Sequence, residues 1–144
     1  MATTTAAISV ASDITDNPIA VSNTSTLFTA GTTTDLDQTI GLNRVHLRST
    51  TNKVLLAANA EGNDLAAKVY IINKATDPTI YISVAIAAQS IGKLYAGDFM
   101  FIPWSQTDTS ASIKVAATNW TASTGDVPVE YAVFHEDTDL LTDA

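Results

Sequence analysis

His46 and His135 are the only imidazoles in this chain, and cysteine is absent. A zinc site or a general base would need a second ligand or an orienting carboxylate at short spacing. His46 instead sits between Val45 and Leu47, and His135 closes an apolar run, so each reads as a strand residue. The carboxylates are the next candidates. Asp35 with Asp37, and Glu136, Asp137 and Asp139, offer oxygens of the kind hard cations take. No Gly stands at the offset a calcium loop needs and no Glu closes one, so a solvated acidic turn and tail account for them. Glu61 and Asp64 share one polar stretch, where a turn explains them better than a carboxylate pair facing across a cleft. The serines include no G-x-S-x-G elbow, and the glycines form neither a phosphate loop nor a dinucleotide fingerprint. The sequence therefore predicts no enzyme, no cofactor and no metal.

Trp104 and Trp120 are the remaining residues with a chemistry of their own. Exposed together with Tyr95 or Tyr131, they would stack on sugar rings. Packing in a core or a subunit interface is the commoner fate of aromatics beside apolar runs. Asn23-Thr24-Ser25 and Asn119-Trp120-Thr121 match the glycosylation sequon. Such matches arise by chance in a chain this rich in Thr, and neither is taken as a modification site.

The elements that would position these residues are strands. Residues 1–40 are rich in Thr, Ser and Ala and carry only short apolar runs, Ile8-Ser9-Val10, Ile19-Ala20-Val21 and Leu27-Phe28. Asp13 to Pro18 separates the first two as a polar turn, and Ala30 to Asp37 reads as a loop opened by Gly31. This part is either an extended N-terminal arm or the first short strands of the domain. From Arg44 onward a period of two is clearer. Val45 to Leu47 and Lys53 to Leu56 flank Ser49 to Asn52, which looks like a hairpin turn. Lys68 to Asn73 and Thr79 to Ala87 enclose an Asp-Pro turn, a second hairpin signal. Leu65-Ala66-Ala67 offers a single turn of helix, and no stretch of helical period reaches ten residues. Phe99 to Trp104, Ser112 to Thr118 and Val127 to His135 complete the series. Pro103 marks its run as unsuited to a central ladder position. The expected fold is all-β, an antiparallel β-sandwich resembling a jelly roll. Residues 41–136 would form the sandwich and 137–144 an acidic C-terminal tail.

The 144 residues carry seven Lys and Arg against fifteen Asp and Glu, a net charge of −8. Phosphate binding needs clustered cations, so nucleic acid and anionic membrane surfaces are disfavoured as partners. Charged residues make up only 15% of the chain, so its polarity comes mainly from Thr, Ser, Asn and Gln. The N-terminal stretch has no basic segment and no long apolar core, which predicts synthesis and folding in a cytoplasm.

The order of the second half resembles a known group. It runs from a strand ending in Asn73, through a turn, to a Thr/Tyr/Ile-rich strand. Leu94-Tyr95-Ala96-Gly97-Asp98 follows, then an apolar run ending at Pro103, an I-x-V strand from Ile113 and a closing strand from Val129 to Phe134. This resembles the small virion structural proteins of tailed bacteriophages, especially capsid decoration or cement proteins. The resemblance implies a non-enzymatic protein on the capsid exterior, made in the host cytoplasm. It would bind the major capsid protein as a homotrimer and stabilise the head by bridging subunits, without a cofactor. The residues expected to make contact are Ile8, Val10, Ile19 and Val21 in the N-terminal segment, with Phe99, Phe101 and Trp104. The alternative is a tail or fibre adaptor with a carbohydrate-binding face, which would place Trp104 or Trp120 in an exposed groove.

Overall fold

The computed structural model describes residues 4–14, 16–26, 38–39, 41–58, 66–105, 110–122 and 125–135. Eleven strands account for most of them, and every pairing is antiparallel. The first two, β1 (Thr5–Ser12) and β2 (Ile19–Thr26), pair only with each other. A four-stranded sheet has the order β5 (Lys53–Leu56), β10 (Ile113–Thr118), β7 (Tyr81–Ile86), β8 (Gln89–Tyr95). The five-stranded sheet places β11 (Val127–His135) beside β6 (Ala66–Asn73), and β6 beside β9 (Phe99–Ser105). On the other side of β11, β4 (Asn43–Leu47) and the short β3 (Gln38–Thr39) share one edge. Thr39 faces Phe134, and continuing that register would set Asn43 opposite Glu130. Asn43 pairs with Tyr131 instead, so one residue is extra, and Gly41 between them takes a φ of +78°. That is the conformation a bulge asks of glycine.

The two sheets form a sandwich around one core. Alternate residues of the five-stranded sheet, among them Val69, Ile71, Val127, Val129 and Val133, are fully buried. They meet Ile82, Val84, Ile113, Val115 and Ala117 of the other sheet in a single cluster. Each Ile or Val so buried contributes about 1.5–3 kcal/mol, and β-branched side chains suit the pleat that places them there. The pairings are nested: β4 with β11, β5 with β10, β6 with β9 and β7 with β8. Successive pairs belong to alternate sheets, so from β4 to β11 only the β7–β8 connection stays within one sheet.

Nesting corrects two expectations. Ser49 to Asn52 and Lys74 to Pro78 do not close hairpins; each carries the chain from one sheet to the other. Polar turn residues satisfy their backbone locally in either case, so turn chemistry alone does not tell a hairpin from a crossing. Ala66 and Ala67 are strand residues of β6, because Ala67 is fully buried opposite Trp104 and tertiary packing overrides weak helix propensity. β3, at Gln38–Thr39, pairs with β11 and so belongs to the five-stranded sheet. Leu27, Phe28, Asp35, Asp37, Glu61, Asp64, Leu65 and the tail 137–144 lie outside the described residues. Pro103 stands in β9, an edge strand, where its missing N–H costs no ladder bond. Among the described residues no helix is long and apolar enough to cross a membrane.

Candidate functional site: an apolar hairpin facing an aromatic sheet

The β1–β2 ribbon is built from alternating small and aliphatic residues. Ser12 pairs with Ile19, Val10 with Val21 and Ile8 with Asn23. Directly opposed residues point to the same side of a sheet. Ile8, Val10, Ile19 and Val21 therefore share one face, and Ala7, Ser9, Ala11, Ala20, Ser22 and Thr24 share the other. All four aliphatics keep between 46% and 51% of their surface exposed. From Thr4 to Thr26 the only charged residues are Asp13 and Asp16, both in the turn. The strands themselves are uncharged, with none of the lysines or inward charges that usually protect a free edge.

A second apolar face lies on the outside of the five-stranded sheet. Phe101, Tyr70 and Ala132 form one cross-strand row, and Phe99 and Ile72 begin the next. The rings engage diagonally: Tyr70 and Phe99 centroids are 6.2 Å apart, and Phe101 and Phe134 centroids 6.5 Å. Phe99 is 59% exposed and Phe101 38%. Between this face and the ribbon lies a cleft of about 860 Å³. Ala6, Ile8, Asn23 and Ser25 line it from the ribbon, and Tyr70, Phe99, Phe101 and Phe134 from the sheet.

Six of the seven residues expected to make contact are thus exposed, and Phe99, Phe101 and Ile8 border one cleft. Trp104 is different. It retains 3% exposure within the core, and its indole Nε1 donates to the Ala111 carbonyl at 2.8 Å. The alternation of β9 turns Phe99 and Phe101 outward, whereas Trp104 has the opposite parity and points in. Trp120 is half-buried against the core, with Nε1 donating to the Gly125 carbonyl at 2.7 Å. The two indoles therefore do not form a shared exposed groove.

The motif Leu94 to Asp98 acts as a joint. Asp98 N–H donates to the Tyr95 carbonyl at 2.9 Å, while the Asp98 carboxylate accepts from Tyr95 N–H at 3.0 Å. Gly97, at φ +87°, is the third residue of that turn and donates to the Asn73 carbonyl at 2.8 Å. Asn73 is fully buried; its side-chain amide donates to the Leu94 carbonyl at 2.9 Å and its Oδ1 accepts from Ala75 N–H at 2.9 Å. A buried polar side chain is tolerated when it is bonded in this way. The residues of this motif are therefore explained by backbone joinery between the sheets.

Several of the ionisable groups described also hold strands and turns together. Arg44 and Glu130, cross-strand partners on β4 and β11, form an ion pair that holds the Glu130 carboxyl below its usual range. Arg48 pairs with Asp126 at 2.8 Å, which raises the guanidinium's pKa, chiefly through the hydrogen bond between them. The first pair clamps β4 to β11, and the second ties the residue after β4 to the residue before β11. Asp77 accepts from Thr79 N–H at 2.9 Å and from its hydroxyl at 2.7 Å, which lowers the Asp77 pKa. His46 lies on β4 opposite Pro128, and His135 at the far end of β11 opposite Gln38. Among the described residues no three His, Asp or Glu gather as a metal site would require. No protein-family model, curated protein or solved structure matches the chain.

Proposed function

We propose that this chain is a non-enzymatic virion structural protein of a tailed bacteriophage, binding the exterior of the capsid and stabilising the head by bridging capsid subunits. On this reading the major capsid protein is its partner and the protein works as a homotrimer. The observation that carries the proposal is the β1–β2 ribbon, uncharged along its strands, with four aliphatics on one exposed face. An isolated two-stranded ribbon is marginal in water and needs a surface to cover it. Surfaces of that kind serve protein contact. The sandwich supplies a rigid body behind it. Nested pairing of eight strands over two sheets is how a jelly roll is wound, and we read residues 43–135 as one. That fold agrees with the resemblance to decoration proteins, and repeated docking on a lattice would raise avidity beyond that of a single site.

Removal of residues 1–26 tests the reading. Capsids lacking the protein should bind the full chain at near-lattice stoichiometry and should not bind the shortened one. Unchanged occupancy by the shortened chain would exclude the ribbon as the docking element. A few copies at a single vertex would point to a tail position instead.

A further inference from the structure

We propose that copies of this chain associate by exchanging their β1–β2 ribbons, the apolar face of one copy's ribbon seating on the outer aromatic face of another copy's five-stranded sheet. The inference rests on the self-association in the reading above and adds to it the surfaces that meet. Both halves of such a contact are present in one chain: Ile8, Val10, Ile19 and Val21 on the ribbon, Phe99 and Phe101 on the sheet. Of the four aliphatics Ile8 lines the cleft of about 860 Å³ whose other wall carries Phe99 and Phe101, and Val10, Ile19 and Val21 continue the same ribbon face beyond it. Packed apolar surfaces leave few voids larger than a water molecule, so the chain's own ribbon does not seal its own sheet.

Exchange costs little. The ribbon shares no ladder with either sheet, so moving it to a neighbour breaks no strand pairing. Eleven residues, 27–37, tether it to β3. Fully extended they span roughly 38 Å, about the width of a small domain, which is enough to reach an adjoining copy. Neither ribbon strand carries a charge, so its seating would draw on apolar contact with the rings and not on the Lys68, Glu130 and Arg44 that share this outer face by register. A second copy is the occupant favoured by the structure because the complementary face is on this same chain.

The cysteine-free sequence makes the test clean. Ile8→Cys combined with Phe101→Cys places one thiol on each wall of the cleft. After mild oxidation of the full chain, exchange predicts disulfides between chains, read as multimers on a non-reducing gel. Thr24→Cys with Phe101→Cys, whose first thiol lies on the opposite ribbon face, serves as control. Linkage confined to single chains, or no more linkage than the control, overturns exchange even where light scattering finds a multimer. A monomer by light scattering overturns both exchange and the self-association beneath it. In parallel, Val10→Ser with Val21→Ser should weaken self-association about a hundredfold, roughly tenfold for each valine removed from the contact. An unchanged dissociation constant also overturns it. Particle binding is measured separately, so a failure to bind capsids leaves this result intact.

Discussion

Two hairpins in this chain, β1–β2 and β7–β8, draw on similar residues and meet opposite circumstances. Both alternate aliphatic with small or polar side chains, and both turn back on themselves without leaving their sheet. In β7, Ile82 and Val84 are fully buried against the facing sheet, whereas no described residue of β1 or β2 is buried. The difference lies in what stands opposite. β7 has β10 on one side, β8 on the other and the five-stranded sheet across the core. The ribbon has one partner strand and, over its apolar face, an open cleft. An alternating strand becomes core only when a second layer covers it. Without that layer the same pattern is a surface waiting for a partner.

Truncation at matched positions tests this contrast most strongly. Ile82→Ala should cost about 2–5 kcal/mol, because it opens a cavity in the packed interior. Val10→Ala should change the unfolding of the sandwich by no more than about 0.5 kcal/mol. Urea titration followed by the fluorescence of buried Trp104 reads both, and equal losses would break the comparison.

A smaller effect is expected where the inner hairpin is tied down. Asn73→Ala removes the amide that bonds the Leu94 carbonyl and the oxygen that receives Ala75 N–H. Leaving those groups unpaired in the interior should cost about 1–3 kcal/mol. Amide exchange should quicken in β7 and β8 and stay unaltered in the ribbon. Faster exchange in both hairpins alike would show that the ribbon leans on the sandwich more than its exposure indicates.

Smallest is the acid response. Asp77, whose carboxylate caps the turn leading into β7, is held below its usual range by Thr79, and Glu130 by Arg44. A depressed folded pKa stabilises above the unfolded value, and that contribution is lost as pH falls through the folded one. Stability of the sandwich should therefore decline below about pH 4, the ordinary carboxylate range. Asp77→Asn combined with Glu130→Gln should flatten that decline. A slope identical to the parent's in acid unfolding curves would remove these two groups from the account.

Much of the fold was legible along the chain. Val127 to His135 appears as a strand at the limits the sequence suggested, and Asp13 to Pro18 separates two strands as its polar residues implied. Period-two alternation and turn residues are local properties, so they survive without knowledge of neighbours. The parity of β9 was equally readable: Phe99 and Phe101 share one face and Trp104 takes the other. Which face turns inward was not, because that depends on the layer placed against it.

Residue types and spacing by themselves determined an all-β chain with short alternating strands, and an N-terminal segment whose aliphatics fall at 8, 10, 19 and 21. Only the tertiary structure decided that these four share a face. The register setting Val10 against Val21 brings them together, and a slip of one residue would have split them between two sides. The same holds for the polar stretches 49–52 and 74–78, which cross between sheets where a hairpin was equally compatible with their residues. Turn chemistry acts within a few residues, whereas the choice of sheet is made by burial of side chains far apart in sequence.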